Sequence, residues 1–378
     1  MVNKFATVLV TGSKGFIGGN LIEALSRQKN IKVYGCDIGE DISVLKSTLR
    51  QADIICYLAG VNRPEKEEEF ATGNTDSVKD IISLLKEMQR TPTIIFTSST
   101  QAAMNNPYGK SKKEAEDLLY EYGKKTGAAV YIYRLTNVFG KWCRPNYNSV
   151  VATFCNNIAN NLDISISDRD REIELIYIDD VIGSILNIIK NCPEIAPGEY
   201  LSVSPSYKIN LGDLADRIYQ LRDMRQSLII PDMADNFTKC LYATYLSYLD
   251  QKDFSYNLEK RIDERGTLVE LLKSTHLGQI FVSKTHGKIT RGNHYHNTKA
   301  EKFCVVQGEA LIKFRHILST EIITYPVSGD DMKIVDIPPG YTHSIENLSD
   351  GEMIVLFWAD EIFDADKPDT YFVEVIKR

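Results

Sequence analysis

The stretch Ala6-Thr7-Val8-Leu9-Val10-Thr11-Gly12-Ser13-Lys14-Gly15-Phe16-Ile17-Gly18 decides the fold of the first half of the chain. An apolar run enters glycines and leaves into a helical pattern over about 18–28, which reads as buried strand, tight turn and helix. Gly12 permits the turn, Gly15 lets a pyrophosphate approach the backbone, and Gly18 lets the helix pack on the strand. The helix N-terminus then faces the phosphates with a favourable dipole. A glycine triplet alone is a weak signal, and its position directly after the first strand makes it a dinucleotide-binding signature. Asp37 closes the next strand, 31–37, at 19 residues beyond Gly18. That is near the distance of a carboxylate that hydrogen-bonds an adenosine ribose 2′-hydroxyl. Asp37 repels a 2′-phosphate, and Glu40 and Asp41 follow closely, so residue chemistry here favours NADH over NADPH.

Outward from this unit, strands and helices alternate. Strands at 52–60, 93–99 and 130–140 are separated by helices over roughly 66–89 and 108–125, the order of a parallel sheet covered on both faces. From 141 to 245 the order is less regular, with a strand at 174–180 and helices at 181–190 and 211–221. The segment 246–262 has no clean period and reads as a connector. Beyond it lie short strands at 279–285, 301–316, 322–327, 332–338, 344–348, 352–361 and 370–376, separated by Gly, Pro, Asn and Asp turns. This pattern points to a sandwich or barrel. The expected organisation is an α/β domain over 1–246 and an all-β domain over 257–378.

The 378 residues suggest about two or three domains. With 43% hydrophobic and 25% charged residues, the composition excludes a disordered or collagen-like chain. A formal net charge of −7 without a basic block makes nucleic acid a poor partner. No apolar run is long enough to span a bilayer, and Met1–Gly12 enters a strand with no signal-peptide pattern. Seven widely spaced cysteines include no Cys-x-x-Cys pair, which argues against a disulfide framework or a thiolate zinc site. The expectation is a reduced, cytoplasmic protein without membrane insertion. All six histidines lie in the last 103 residues, so the first half performs any catalysis without imidazole.

Two constellations carry chemistry. Tyr108 and Lys112 stand at i and i+4, one helix face, about ten residues after the strand that ends at Ser99. A phenol with an ordinary pKa of about 10 needs a neighbouring ammonium to act near neutrality. Ser99 is placed to polarise the same substrate oxygen, with Thr97 and Ser98 ranked lower. In the second half, His294 and His296 alternate as on one strand face, Glu301 follows, and Pro338-Pro339-Gly340-Tyr341-Thr342-His343 brings a third imidazole. Three imidazoles and one carboxylate suit a divalent metal: zinc, iron, nickel or manganese. His276, His286 and His316 show no such register and read as surface or core. Tyr295, Tyr341, Lys288 and Lys302 are unranked candidates for a base in this half.

TGSKGFIG, YLAGVNRP, TSSTQ, PYGKSKKEAE, RLTNVFG and ELIYIDDV resemble, in order, the extended sugar-nucleotide branch of the short-chain dehydrogenase/reductases. His-x-His-x₄-Glu-x₆-Gly and Pro-x-Gly-x₂-His-x₃-Asn resemble the two cupin motifs, with a first-motif glycine replaced by Lys288 and the second motif's leading glycine displaced to Gly329. The two together, with KWCRPNYNSV and LYATYLSYL, resemble the bifunctional capsular polysaccharide synthesis enzymes along essentially the whole chain. The resemblance implies a Rossmann-like doubly wound sheet followed by a cupin β-barrel, or jelly roll. It implies Tyr108 as general acid/base, Lys112 as its activator and ribose ligand, and Ser99 as carbonyl donor. Cofactor contacts would come from Gly12, Gly15, Phe16, Ile17, Gly18, Asp37, Leu58, Ala59, Gly60, Tyr108 and Lys112. Substrate contacts would come from Asn62, Arg63, Asn137, Lys141, Trp142, Arg144, Tyr147 and Asn148, and metal ligands from His294, His296, Glu301 and His343, with zinc the foremost metal. The family uses NADPH, so Asp37 is a departure and the cofactor stays NADPH or NADH. The implied partner is a UDP-linked deoxy-aminosugar, the implied assembly a homodimer, and the implied activity epimerisation at C3 followed by reduction of a C4 ketone. The rival reading is an epimerase or 4,6-dehydratase with a structural or regulatory metal cupin. Thr100-Gln101 after Ser99, in place of an acid/base pair, disfavours the dehydratase.

Overall fold

The structure is a computed structural model and describes residues 6–37, 39–196, 198–263, 266–269, 272, 278–361 and 364–377. His276 lies outside the described residues. Chain packing forms two compact units, one of residues 1–149 with 172–209, the other of 150–171 with 210–378.

In the first unit β1 (Ala6–Thr11), α1 (Phe16–Ser26), β2 (Ile31–Cys36), α2 (Ile42–Leu49) and β3 (Ile54–Tyr57) lead to α3 (Glu68–Phe70). A π-helical turn at Ala71–Asp76 joins α3 to α4 (Ser77–Glu87). β4 (Thr93–Ser99), α5 (Pro107–Thr126), β5 (Val130–Leu135) and β6 (Asn137–Phe139) follow. Helix α6 (Val150–Ala159) belongs to the second unit; β7 (Glu172–Tyr177), α7 (Ile178–Asn191), β8 (Tyr200–Leu201) and β9 (Ser206–Asn210) return to the first. The main sheet is parallel with strand order β2-β1-β3-β4-β5-β8. Its central strands are apolar on both faces because helices cover both, as Ile54–Tyr57, all buried, illustrates. The sequence 130–140, read as one strand, is two. Thr136 separates β5 from β6, and β6 pairs with β7 in a separate sheet β6-β7-β9.

The second unit contains α6, α8 (Leu211–Ser227), α9 (Asn236–Leu246) and the strand-rich remainder. Those strands are β10 (Ser255–Tyr256), β11 (Lys260–Asp263), β12 (Gly266–Val269), β13 (Gln279–Thr285), β14 (Thr290–Tyr295) and β15 (Glu301–Gln307). β16 (Glu309–His316), β17 (Ile322–Ser328), β18 (Ile334–Ile337), β19 (Tyr341–Asn347), β20 (Met353–Ala359) and β21 (Tyr371–Phe372) complete them. Two five-stranded antiparallel sheets, β10-β18-β15-β20-β13 and β17-β16-β19-β14-β21, make a cupin-like β-barrel. The expected seam at 246–257 does not coincide with the division of packing, because α8 and α9 group with the barrel. Lys239 on α9 pairs with Glu361 at 2.8 Å, and Phe254 just beyond α9 packs edge-on against Phe314 and Tyr341 inside the barrel.

Candidate active sites

The first site grows from the ends of β1, β3 and β4. Gly12 has φ +68°, and a Cβ there would lie 2.9 Å from Ala59 backbone atoms. A Cβ on Gly18 would lie 2.0 Å from the Gly12 carbonyl oxygen, so only glycine lets α1 begin this close to β1. Gly60 is equally confined, with its Cβ position 2.7 Å from Asn74 Oδ1 and 3.6 Å from Lys112 Nζ. These bare backbones beside the start of α1 fit a dinucleotide pyrophosphate, and Phe16 and Ile17 are the first two residues of that helix. Leu58 and Ala59 follow β3 on the same edge; the Ala59 N–H donates to Thr11 Oγ1 at 3.3 Å.

Helix α5 begins where its sequence tells it to. Asn106 caps it by accepting from Gly109 N at 2.7 Å, and Pro107 occupies the first turn. Tyr108 therefore sits in the first turn and Lys112 one turn on. A Cβ on Gly109 would lie 2.1 Å from the Gln101 carbonyl oxygen, so glycine lets α5 press on the turn that follows Ser99. Tyr108 consequently lies beside Ser99; burial raises its phenol above the ordinary value and the Ser99 hydroxyl opposes the rise. Of the three hydroxyl residues at the end of β4, Ser99 is the one at Tyr108. Ser98 is buried and donates to Glu116 Oε1 at 2.6 Å, and Thr97 O accepts from Lys112 Nζ at 2.8 Å.

Lys112 is buried, which brings its ammonium down to about 8, while Glu116 pulls the other way. Glu116 is fully enclosed and takes a two-pronged ion pair from Arg134 at 3.0 and 2.7 Å. It stands one turn after Lys112, and its negative charge favours the Lys112 ammonium. Glu116→Gln should lower the Lys112 pKa further, so the alkaline limb of the pH–rate profile for reduction moves to lower pH. A profile that keeps its position while stability falls would reduce Glu116 to a purely structural part. Asn74, buried in the π-helical turn, bonds both N and O of Val61 at 2.9 Å and so fixes the loop that carries Gly60 and Asn62.

The expected substrate contacts divide. The Asn62 side-chain oxygen is buried with no hydrogen-bond partner among the described residues, and Arg63 is exposed. Asn137 is exposed on β6 and donates to Glu174 O at 3.0 Å. Arg144 lies over the Tyr147 ring at 5.2 Å, and Asn148 is exposed. Trp142 is half-buried beside Lys141, whose ammonium lies 5.4 Å from its ring. Lys141 is 2% exposed, and its ammonium donates to Asp179 at 2.8 Å. Beside it Asp180 is pushed up to about 6, by burial first and then by Asp179.

The second site lies in the barrel. Donor atoms of His294, His296, Glu301 and His343 all fall within 4.8 Å of one another. β14 carries a register shift between Gly292 and His294, and Gly292 and Asn293 have φ of +97° and +58°. His294 then faces His343 across the ladder, and His296 lies one residue past the strand rather than on it. His296 Nδ1 is fixed on Asp369 O at 2.8 Å, and His296 Nε2 approaches Glu301 Oε2 at 3.1 Å. Burial, then its neighbouring imidazoles, holds His343 far below the ordinary value, and burial brings His294 to about 4. Burial would raise Glu301, but the hydrogen bond and charge of His296, together with Lys299 and His294, outweigh it and keep the carboxyl low. Three imidazoles, one carboxylate and a buried His343 Nε2 without a hydrogen bond among the described residues fit a divalent metal. The Phe303 ring, 5.6 Å from His343, walls the cluster.

Asp369 is the residue that sequence reading missed here. Its carboxylate accepts from the N–H groups of Asn297, Thr298 and Lys299 at 3.0, 2.8 and 2.7 Å, pinning the turn after His296. Asp369→Asn sets an amide against these donors and should weaken zinc binding about 10- to 100-fold, measured by competition with a chromogenic chelator. The candidate bases also separate. Lys288 is a surface residue paired with Asp350 at 3.2 Å, and Tyr295 packs on Tyr371. Lys302 alternates away from Glu301 along β15 and is buried on Asp336, whose charge holds its pKa up against desolvation. Tyr341 shares the strand face of His343. Asn347 is a turn clamp, donating to the carbonyls of Thr285, His286 and Gly351.

Comparison with known proteins follows the same division. The model of the NAD-dependent epimerase/dehydratase family matches residues 8–204, and that of the polysaccharide biosynthesis C-terminal domain matches 261–371. A Pseudomonas aeruginosa protein named UDP-2-acetamido-2,6-beta-L-arabino-hexul-4-ose reductase is 42% identical over 97% of this chain and 98% of its own. The crystal structure of capsular polysaccharide assembling protein CapF from Staphylococcus aureus is 45% identical, covers 97% of this chain and 100% of that one, and superposes with a TM-score of 0.67. A UDP-glucuronic acid 4-epimerase from Bacillus cereus with NAD, 20% identical over 57% of this chain and 84% of its own at a TM-score of 0.52, shares the fold of the first part. No helix among the described residues is long and apolar enough to cross a membrane.

Proposed function

Because the chain belongs to the NAD-dependent epimerase/dehydratase family and carries a polysaccharide biosynthesis C-terminal domain, we propose that it is a two-site sugar-nucleotide enzyme. Its substrate is UDP-2-acetamido-2,6-dideoxy-β-L-arabino-hexos-4-ulose. The barrel epimerises C3, and the N-terminal site reduces the C4 ketone to UDP-2-acetamido-2,6-dideoxy-β-L-talose. The product leads toward UDP-N-acetyl-L-fucosamine for capsule or O-antigen polysaccharide. The Pseudomonas relative, aligned along nearly the whole chain and named as a reductase of this sugar class, supports the substrate. The convergence of Ser99, Tyr108 and Lys112 in a chain that also gathers four metal donors carries the reaction type. The setting is cytoplasmic, and the assembly a homodimer, as is common in both component families.

Reduced nicotinamide, when bound, supplies a hydride. Tyr108 delivers the proton to the C4 oxygen, Ser99 donates a hydrogen bond to that oxygen, and Lys112 supplies positive charge near the phenol. A divalent metal, when held by His294, His296, Glu301 and His343, supplies Lewis-acid polarisation that acidifies the proton beside the ketone. Asp369 holds His296 in line for that task, and Phe303 limits water at the cluster. The order follows from chemistry. The C3 proton is acidic only while C4 is a ketone, and reduction then locks the new configuration.

The purified protein should consume added NADH or NADPH only when the 4-keto sugar nucleotide is present. Consumption of neither cofactor with that substrate would overturn the reductase reading.

A further inference from the structure

We infer that Asp37 makes this chain an NADH-preferring reductase, discriminating against the 2′-phosphate of NADPH; this rests on the reductase reading above. Asp37 follows the last residue of β2, where a doubly wound fold passes the adenosine ribose. Its carboxylate is anchored to the glycine-rich turn. The Ser13 hydroxyl donates to it, and the Lys14 N–H lies 3.1 and 3.2 Å from its two oxygens. Gly35 makes room for this arrangement, since a Cβ there would lie 2.5 Å from Ser13 Oγ. The carboxylate is thus held at the ribose position and keeps lone pairs for a 2′-hydroxyl donor.

The surrounding charge points the same way. Lys14 is the base at this end of the turn, and its ammonium lies 3.4 Å from Glu40. That pair is exposed and worth little by itself. The balance is decided by number, two carboxylates against one ammonium. The same charges act on the neighbouring Cys36 thiol, which burial and then Glu40 and Asp37 push up while Lys14 opposes them. A 2′-phosphate, with roughly 1.5 to 2 negative charges, enters a negative field and displaces no water-exposed base onto itself without breaking the Lys14–Glu40 pair. A 2′-hydroxyl meets an acceptor.

The test is direct binding of NADH and of NADPH to the full chain, by calorimetry or nicotinamide fluorescence, without sugar substrate. NADH should bind about tenfold tighter or more, with the gap narrowing as salt screens the repulsion. Asp37→Asn should bring the two affinities together, and Glu40→Gln should move them the same way by less. NADPH binding as tightly as NADH to the native chain overturns the inference. An unchanged ratio in Asp37→Asn, checked for native circular dichroism, overturns the assignment to Asp37. If that variant does not fold, the native ratio, its salt dependence and Glu40→Gln decide. Binding of neither dinucleotide would overturn the reductase reading itself.

Discussion

Tyr108→Phe removes reduction of the 4-ketone while proton exchange at C3 continues. The phenol lies beside the Ser99 hydroxyl, and Lys112 stands one helical turn away. Removing that oxygen deletes the proton donor and leaves hydride delivery without charge neutralisation. Loss of a positioned general acid costs about 10²- to 10⁴-fold. The substitution is isosteric, the ring keeps its contact with Phe70 at 5.7 Å, and folding should be unaffected. Consumption of reduced nicotinamide reads the loss, and deuterium incorporation from D₂O reads the retained exchange. Loss of both would place the two reactions at one site.

The second large effect comes from the barrel. His343→Ala removes one of four donors and opens the cluster on the side of Phe303 and Phe314. Metal affinity should fall by more than the ~10- to 100-fold typical of supporting residues, and C3 exchange should disappear with it. Reduction of substrate supplied already epimerised should persist. Chelation of the native protein should have the same outcome and be reversed by added zinc. Retained exchange in metal-free protein would exclude the metal cluster from epimerisation.

These sites were legible in the sequence to different depths. Motifs whose parts are close in the chain read well. The Gly12–Gly18 turn, the Tyr108–Lys112 pair and the His294/His296/Glu301 run each depend on local geometry that spacing encodes. His343 was also readable, because its Pro-Gly turn marks the return of the strand. The supporting residues were not. Asn74 acts on Val61 and Ser111 across separations of 13 and 37 residues, and Asp369 acts on His296 from 73 residues away. Glu116 follows Lys112 by one turn, but its role needs Arg134 and Ser98, and nothing in the helical pattern names them. Gly109 reads as an ordinary helix residue until the Gln101 carbonyl is seen against it. Lys141 pairs with Asp179, 38 residues on, which the spacing of its loop does not encode. The missed helix α9 lacks a clean amphipathic stripe. In α9 nine of the eleven residues are buried, so no polar face marks the period.

The central claim is that one chain performs C3 epimerisation and C4 reduction at separate sites. Proton NMR of the enzyme with the 4-keto UDP-sugar in D₂O tests it most directly, first without and then with NADH or NADPH. The account predicts deuterium at C3 before any dinucleotide is added, then the 6-deoxy-talose product once it is. Direct reduction of the unepimerised ketone with no C3 exchange would contradict it and leave a simple reductase whose barrel does no chemistry on the sugar.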